Sequence, residues 1–170
     1  MWQSPPFWTL FTMSCMEFKL FSDVGVGDFL SVVNDQTVRK HLIDHPPFDE
    51  ASVRSWMDDK MRIDRLPGCR VRAVLIDGVL VGWCGIQPDD DGVEIAVVIA
   101  KAGWGTGIAI FKEMMGWARQ MGHKEVMFHL LSTRPEYLAL TKRSTRVQKT
   151  TLSGRDFTTY YISVEKWFAG

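Results

Sequence analysis

The sequence lacks the features that mark membrane-spanning, disulfide-bonded and repetitive proteins. It contains no apolar run long enough to cross a bilayer, no internal repeat and no low-complexity segment. Its three cysteines, Cys15, Cys69 and Cys84, are widely spaced and form no CxxC pair. We therefore expect reduced thiols in a cytoplasmic protein that has no membrane partner.

An excess of charge of one sign is also missing. Lysine plus arginine and aspartate plus glutamate number 20 each, so the formal net charge is zero, which argues against a general binder of polyanions. The basic residues form one local cluster with few aromatic residues between them, at Lys142, Arg143, Arg146 and Lys149. We interpret the cluster as a solvated helix end and do not expect a nucleic-acid partner, although a tRNA-linked acceptor stays open.

Several enzyme motifs are absent as well. The Gly-x-Ser-x-Gly elbow of serine hydrolases does not occur in the sequence. His41 and His45 could share a helix face, but no third ligand has a suitable spacing and Pro46 interrupts the segment. The sequence therefore predicts no metal site.

The first 15 residues are apolar and aromatic, and they lack the basic start of a signal peptide. We expect residues 1–15 to be an extension that packs on the domain or on a second subunit, which makes a homodimer one of the alternatives. Residues 16–170 have the length of a single domain with one core.

The most informative stretch, residues 92–121, predicts a strand, a glycine loop and a helix. Residues 93–99 are apolar and rich in β-branched side chains. The loop at 103–107 has glycine at alternate positions, which suits neither a strand nor a helix. Apolar residues then recur at helical spacing, at Phe111, Met114, Met115, Ala118 and Met121, and Gly122 is placed to end the helix.

A glycine loop between a strand and a helix is suited to binding phosphate. The N–H groups of the first helical turn have no partner within the helix, and the helix dipole favours negative charge there. The P-loop of mononucleotide-binding proteins needs Gly-Lys-Ser/Thr at its end, and Gly107-Ile108-Ala109 does not provide it. A dinucleotide fingerprint needs a third glycine where Ile110 stands.

The segment Trp104-Gly105-Thr106-Gly107-Ile108-Ala109 resembles the acyl-CoA pyrophosphate loop of the GNAT superfamily of N-acetyltransferases. The pattern of that loop is Gln/Arg-x-x-Gly-x-Gly/Ala, and Trp104 replaces its first residue. The preceding strand is similar to the Ala-Glu-Ile-Ala-Phe strand of the histone-acetyltransferase branch. The alternative is an ordinary strand, turn and helix without a ligand.

The resemblance implies that acetyl-CoA is the co-substrate. The loop would bind the pyrophosphate, and the backbone of the strand before it would bind pantetheine in a gap between two splayed parallel strands. The residues assigned in this way are Val97, Val98, Ile99, Trp104, Gly105, Thr106, Gly107, Ile108 and Ala109.

The resemblance also implies an α/β (α+β) domain with a mixed, mostly antiparallel central sheet flanked by helices, the acyl-CoA N-acyltransferase fold. We expect Asn34 and Asp35 to break the first helix, Asp49 to cap the second and Asp77-Gly78 to form a hairpin turn. The other predicted elements are a strand at 16–21, helices at 26–42 and 50–62, strands at Arg70–Ile76, 79–86 and 124–131, a helix at 135–143, strands at 146–152 and 157–164, and a tail at 165–170.

Glu94 is the candidate general base, because it stands where the histone-acetyltransferase branch holds its catalytic glutamate. Desolvation in an apolar strand would raise the pKa of its carboxyl group, which suits a base. The alternative is that Glu94 faces solvent and pairs with Arg70 or Arg72. His129 on the neighbouring strand is the second candidate, although a single histidine among apolar residues is more often a hydrogen-bonded core residue.

The candidate general acid is the point at which the chain departs from the family. Leu140 stands where many members have the tyrosine that protonates the departing CoA thiolate. Tyr137 is three residues earlier, on the same face of the predicted helix, and is the remaining candidate. Because a thiolate leaves readily, we favour departure without a protein acid.

We therefore expect an N-acetyltransferase that moves an acetyl group from acetyl-CoA to a primary amine of a small molecule or a protein. The amine would attack the thioester directly. The alternative is a non-catalytic protein of the same fold that binds CoA or has a structural role. Leu140 favours this alternative slightly, whereas the glycine loop favours retained CoA binding.

Overall fold

The computed structural model describes residues 14–40 and 45–170. Most of the apolar stretch at 1–15, and His41, lie outside the described residues. Within them, seven strands form one sheet in the order β1-β2-β3-β4-β5-β7-β6. The strands are β1 Met16–Lys19, β2 Arg70–Ile76, β3 Val79–Asp89, β4 Gly92–Ile99, β5 Glu125–Leu131, β6 Ser144–Leu152 and β7 Arg155–Ser163.

The helices of the described segments flank this sheet. They are α1 Val26–Val33, α2 Gln36–Arg39, α3 Glu50–Asp64, α4 Gly107–Gln120, α5 Leu138–Arg143 and α6 Val164–Ala169. Neighbouring strands are antiparallel throughout, except that β4 and β5 are parallel and α4 lies between them in sequence. The predicted mixed, mostly antiparallel sheet flanked by helices is confirmed. None of the described helices is long and apolar enough to span a membrane.

The alternation of side chains along the strands gives the sheet two buried faces. On the first, here called the α4 face, Met114 of α4 packs in one cluster with Ile95 of β4. On the second, here called the α1–α3 face, Phe29 of α1 and Met57 of α3 share a cluster with Trp83 of β3. Each strand in the centre of the sheet therefore presents alternate side chains to the two faces.

The parallel strands β4 and β5 separate soon after they meet. In the described part of the chain their ladder consists of one pair, Glu94 with Met127. In contrast, β4 pairs with β3 at every position from Gly92 to Ile99. The carboxyl half of β4 therefore has a hydrogen-bonded edge toward β3 and an open edge toward β5. We call this opening the β4–β5 gap; the sequence alone could not show it.

Tight turns are where the glycines predicted them. Asp77 and Gly78 have φ angles of 51° and 79°, as a two-residue hairpin turn requires. Ser153 and Gly154 have φ angles of 49° and 75°, so the last hairpin turns over two residues and not over the four between the predicted strands. Gly122, with φ of 79°, follows the end of α4 as expected.

The predicted helix at 26–42 is two helices in the described residues. Asn34 ends α1, and its side chain exchanges two hydrogen bonds with the backbone of Phe48, at 2.8 and 2.9 Å. Asp35 caps α2 by accepting from two backbone N–H groups, and Asp49 caps α3 in a capping box. The predicted break and the predicted cap are therefore confirmed.

The helix predicted to begin at Pro135 begins at Leu138 instead. Proline permits a helix start but does not impose one. The residues before Leu138 are used in the turn out of β5, where the Arg134 N–H donates to the Leu131 oxygen at 2.9 Å.

The tail predicted at 165–170 is also wrong, because most of it belongs to helix α6. The Ser163 hydroxyl accepts from the Lys166 N–H at 3.2 Å and caps the helix. Val164 is buried, and the ring of Trp167 packs 5.3 Å from the ring of Phe111 in α4. The sequence does contain signals for this helix, namely a serine at the N-cap and apolar residues three apart. The segment is too short for this spacing to distinguish a helix from an irregular tail.

Candidate active site

The glycine loop, residues 103–107, leaves unpaired backbone donors at the start of α4. Gly105 has φ of 93°, a conformation that favours glycine. The Ile110 N–H donates to the Thr106 oxygen at 3.0 Å. The N–H groups before it that have no hydrogen-bond partner in the described part of the chain are those of Gly105, Gly107, Ile108 and Ala109. Aligned free donors at a helix N-terminus can bind an anion.

Thr106 has a different place in the loop. Its N–H donates to the Gly103 oxygen at 3.2 Å, and its hydroxyl donates to the same oxygen at 2.6 Å. These two bonds close the turn that precedes α4. Thr106 therefore holds the loop in shape, while the N–H groups of the neighbouring glycines stay unpaired in the described part of the chain.

The space in front of these donors is open. A Cβ atom built on Gly105 or Gly107 would meet no atom within 4 Å, and Gly107 does not have a positive φ. Packing within the described chain therefore gives no reason for glycine at position 107. The side chains of Trp104 and Ile108 beside it are 60% and 75% exposed. The loop thus has room for a ligand to approach its backbone.

The open edge of β4 adds further backbone donors and acceptors. The Ala100 N–H donates to the Val81 oxygen at 2.8 Å. Because backbone groups alternate in direction along an antiparallel ladder, those of Val98 point to β3. The N–H and C=O groups of Val97 and Ile99 therefore point into the β4–β5 gap.

The loop and the gap are continuous. The chain leaves β4 at Ile99 and reaches the loop through the short 3-10 turn Lys101–Gly103. The free donors and the open strand edge consequently lie at the same carboxyl end of β4. In open sheets with parallel strands, ligands bind at such ends, outside the point where the strand order changes.

Glu94 lies on the α1–α3 face within a cluster of polar side chains. Gln87 Nε2 donates to Glu94 Oε1 at 2.6 Å, and Lys60 Nζ donates to Gln87 Oε1 at 2.6 Å. The second carboxylate oxygen, Glu94 Oε2, is 3.5 Å from His129 Nε2. The side chain of Glu94 is 21% exposed. It is therefore mostly buried but still in contact with solvent.

His129 is hydrogen-bonded at both ring nitrogens. Its Nδ1 is 2.8 Å from Thr159 Oγ1, and its Nε2 is 3.0 Å from Asp89 Oδ2. The Thr159 hydroxyl in turn donates to Thr150 Oγ1 at 2.9 Å. The structure thus brings His129 to Glu94, as the sequence suggested. It also gives His129 the hydrogen bonds of a core histidine.

The surroundings of Glu94 raise the pKa of its carboxyl group on balance. Burial raises the pKa of its carboxyl group above the ordinary value, and Asp89 adds to the rise. The Gln87 amide, His129 and Lys60 act in the opposite direction. Burial also lowers the pKa of Lys60, against the attraction of Glu94 and Asp59. Partial burial is thus the main cause of both shifts.

The alternative in which Glu94 pairs with an arginine does not match the structure. Arg72 Nη1 bonds to Asp64 Oδ1 at 2.6 Å. The guanidinium of Arg70 lies over the ring of Trp117, 5.2 Å from its centroid, and Trp117 belongs to the core on the α4 face. Neither arginine contacts Glu94, so its carboxylate interacts with an amide and an imidazole instead.

Three side chains of the cluster could ligate a divalent cation. One ligand atom each from Asp89, Glu94 and His129 lies within 4.8 Å of the others. Imidazole and carboxylate together suit zinc and other first-row metals. In the structure His129 Nε2 is hydrogen-bonded to Asp89 Oδ2 at 3.0 Å and lies 3.5 Å from Glu94 Oε2, and the absence of a metal requirement stays a prediction.

Tyr137 lies apart from the helix face on which the sequence placed it. It precedes the first residue of α5 and has an extended backbone, with φ of −93° and ψ of 101°. Its side chain is 44% exposed, and its hydroxyl makes no hydrogen bond in the described part of the chain. Leu140 packs against the core on the α4 face. The helical relation between Tyr137 and Leu140 is therefore wrong, and the catalytic role of Tyr137 stays a prediction.

The sequence did not indicate four members of the cluster, namely Lys60, Gln87, Asp89 and Thr159. Gln87 is the direct ladder partner of Glu94, and Thr159 is that of His129. Only the register of the antiparallel strands reveals these neighbours. A correct register for the hairpin closed by residues 90–91 would have found Gln87.

Comparison with known proteins agrees with this geometry. The family model described as acetyltransferase (GNAT) domain matches residues 19–143. This range includes the glycine loop, both strands of the gap, Glu94 and His129. A search of curated proteins finds no match.

Solved structures of acetyltransferases share the fold. A GNAT-family acetyltransferase from Bordetella pertussis has a TM-score of 0.69 and 14% identity, over 87% of this chain and 95% of that one. A spermidine N-acetyltransferase from Vibrio cholerae, in complex with CoA and spermine, has a TM-score of 0.66 and 13% identity, over 92% and 99%. A ribosomal-protein-alanine N-acetyltransferase from Brucella melitensis has a TM-score of 0.63 and 16% identity, over 88% and 99%.

The sheet order, the β4–β5 gap and the free donors of the glycine loop were described above without reference to any relative. The family match covers most of the chain, including the β4–β5 gap and the glycine loop. The structural neighbours extend the agreement in fold to nearly the whole length of each chain. The chain belongs to the GNAT family of acetyltransferases.

Proposed function

We propose that the protein transfers an acetyl group from acetyl-CoA to a primary amine, with Glu94 as the general base. The observation that carries the proposal is that free N–H groups, an open strand edge and a buried carboxylate all belong to β4 and the loop after it. The first two can bind a phosphate-bearing, amide-containing ligand. The third can accept a proton.

CoA would bind along the path that these groups define. Its pyrophosphate would accept hydrogen bonds from the N–H groups at the start of α4, and its pantetheine amides would pair with Val97 and Ile99 in the β4–β5 gap. The exposed side chains of Trp104 and Ile108 would cover the ligand where it leaves the protein. The N–H donors in this arrangement are those of Gly105, Gly107, Ile108 and Ala109. The Vibrio cholerae neighbour, which is in complex with CoA, supports this choice of ligand.

Acetyl transfer from a thioester to an amine requires a binding site and a base. The amine nitrogen attacks the thioester carbonyl carbon, a C–N bond forms, and the C–S bond breaks to release CoA thiolate. Glu94 takes the proton that the amine loses, and its raised pKa suits that task. His129 has no ring nitrogen free for substrate, which favours Glu94 over His129 as the base.

The acceptor is a small-molecule or protein amine. Two structural neighbours are named for different acceptors, spermidine and a ribosomal-protein alanine. At 13% and 16% identity neither name transfers to this chain. The acceptor class is therefore best found by assay with a polyamine, a peptide with a free N-terminus and a lysine-containing peptide.

A second candidate function is CoA binding without catalysis. It is favoured by Leu140, which carries no proton to donate, and by the partly exposed Tyr137, whose hydroxyl makes no hydrogen bond in the described part of the chain. Measuring thiol release from acetyl-CoA with each amine separates the two functions. Transfer to at least one amine supports the enzyme, whereas CoA binding without transfer to any amine supports the second function.

The first prediction tests the CoA site with paired glycine variants. Gly107→Ala adds a methyl group in open space, so folding should be unaffected, but calorimetry should show CoA affinity lower by about tenfold. Gly107→Glu should abolish measurable binding, because it adds bulk and negative charge where the pyrophosphate would lie.

The matched control is Gly116→Ala, also in α4 with no atom within 4 Å of the added Cβ. It should stabilise the helix by roughly 0.5–1 kcal/mol without changing CoA affinity. Unchanged CoA affinity in Gly107→Glu would remove the loop from the binding site.

A further inference from the structure

Gln87 occupies a position between a cation and a carboxylate. It is the direct ladder partner of Glu94 across β3 and β4. One end of its amide accepts from Lys60 Nζ at 2.6 Å, and the other end donates to Glu94 Oε1 at 2.6 Å. The side chain thus connects α3 to the carboxylate on β4.

The donor and acceptor roles in this chain admit one orientation of the amide. A lysine nitrogen that bonds to an amide donates, so the Gln87 oxygen must face Lys60. The Gln87 NH₂ group must then face Glu94, whose ionised carboxylate only accepts. A flipped amide would place donor against donor and acceptor against acceptor. Lys60 therefore holds the amide in the orientation that presents the NH₂ group to the carboxylate.

Lys60 is itself held in place. Its Nζ lies over the ring of Trp83, 4.4 Å from the centroid, and the side chain is half-buried. A cation over a tryptophan ring is attracted to the face of the ring. Trp83 belongs to the core on the α1–α3 face. The orientation of Gln87 is consequently anchored in the core through two successive contacts.

We propose that Gln87, oriented by Lys60, is a positioning residue that fixes the Glu94 carboxylate with Oε1 bound and Oε2 available to the acceptor amine. This inference rests on the proposed function, in which Glu94 is the base. Glu94 Oε2 lies 3.5 Å from His129 Nε2, longer than a good hydrogen bond. Oε2 therefore has the weaker contact with the protein of the two carboxylate oxygens, and Oε2 takes the proton from the acceptor amine.

The charged groups that face Glu94 come from three elements. Lys60 approaches from α3, Asp89 from β3 and His129 from β5. The direct hydrogen bond to the carboxylate comes from the uncharged Gln87 beside them. A hydrogen bond to the ionised form favours that form. Removing the Gln87 donor should therefore make Glu94 hold its proton to a higher pH.

The experiment replaces Gln87 with methionine, which has a similar length but no donor. In Gln87→Met the acidic limb of the kcat/KM profile should move up by about one pH unit, and kcat should fall by about tenfold or more. CoA affinity should stay unchanged, because the glycine loop is not touched. The matched control, Gln148→Met on the exposed face of β6, should leave the profile and kcat as in wild type.

Lys60 variants test the orientation step separately. Lys60→Met should move the acidic limb in the same direction, because the Gln87 oxygen loses its donor, which loosens the amide, and a positive charge near Glu94 is lost. Lys60→Arg should restore the wild-type profile, since a guanidinium also only donates and also packs on an indole ring. If Lys60→Arg behaves like Lys60→Met, the orienting role of Lys60 is wrong.

Carboxyl ¹³C NMR of Glu94 makes the test independent of activity. The titration midpoint of Glu94 should be higher in Gln87→Met than in the wild-type protein. If wild type transfers no acetyl group, the proposed function fails while the NMR titration still tests the positioning of the carboxylate. If the midpoint is the same in both proteins, or kcat falls only in step with melting temperature, Gln87 has a merely structural role.

Discussion

At the scale of single residues, Glu94 is a carboxylate in a place where its charge is unfavourable. Burial raises its pKa above the ordinary value of 4.5, so the folded protein binds this proton more tightly than the unfolded chain does. The associated stabilisation is fully present below about pH 4.5 and is lost as the pH rises through the raised pKa. An ionised carboxylate at this position therefore reduces the stability of the fold that holds it.

We predict that Glu94→Gln lowers turnover by on the order of a hundredfold or more and raises the melting temperature at pH 7. The amide cannot accept the proton, and it carries no charge that burial would penalise. The stability gain should shrink as the pH is lowered toward 4.5, where wild type is protonated as well. A variant with near-normal turnover would make Glu94 a structural residue.

Tyr137→Phe should cost less than about tenfold in rate, or under about 1.4 kcal/mol. The hydroxyl has no hydrogen-bond partner in the described part of the chain, and the side chain is partly exposed. The aromatic ring stays in the variant, so folding is preserved. Steady-state kinetics at saturating acetyl-CoA are the measurement. A hundredfold loss of kcat at unchanged KM would place the hydroxyl at the departing thiolate.

The sequence predicted the residues of the site that lie within one local segment. Glu94 and the glycine loop follow each other along the chain, and their pattern carries the resemblance to the family. Lys60, Gln87 and Asp89 were not predicted, because strand register and the approach of α3 bring them to Glu94. The approach of α3 is a long-range arrangement that no local pattern encodes, and the neighbours across β3 and β4 depend on the register of their hairpin.

At the scale of elements, β3 and β4 approach closely where the β4–β5 gap opens. Gly82 pairs with Ile99, and a Cβ at Gly82 would lie 2.0 Å from the Val98 oxygen. An added methyl group cannot be accepted there without moving β4. Glycine at position 82 thus allows β3 to hold the strand whose other edge is open.

Gly82→Ala should therefore destabilise the protein by on the order of 1–3 kcal/mol and weaken CoA binding as well, since β4 must shift at the gap. Denaturant unfolding and calorimetry are the measurements. Gly27→Ala in α1 is the control, because nothing lies within 4 Å of its added Cβ. It should be neutral or stabilising, with unchanged CoA affinity. Normal stability of Gly82→Ala would show that the two strands can separate freely.

Element boundaries were predicted best where one residue type determines the backbone. Asp77-Gly78 and Asp49 fixed a turn and a helix start. Pro135 did not determine a helix start, because proline is allowed at the first position of a helix but does not enforce a helix there. The short helix α6 was missed, because six residues are too few to show a helical period.

At the scale of the whole molecule, ligand binding and folding are linked. A ligand that binds the folded chain but not the unfolded one raises stability according to its concentration relative to Kd. CoA at a hundred times its Kd should add about 2.7 kcal/mol and raise Tm by roughly 5–10 °C for a chain of this size. Gly107→Glu should show no such rise. A rise in that variant equal to wild type would place CoA elsewhere.

The single pair between Glu94 and Met127 also divides the sheet into two ribbons, β1 to β4 and β5 with β7 and β6. Between β4 and β5 there is one ladder pair, whereas every other pair of neighbouring strands is joined by a ladder of several pairs. On either side of that point each ribbon has its own ladder of hydrogen bonds. A ligand that pairs with Val97 and Ile99 would occupy the open edge of β4. It would supply hydrogen bonds that β5 does not make there. Amide hydrogen exchange in the open half of β4 should then slow, and the two ribbons should move as one.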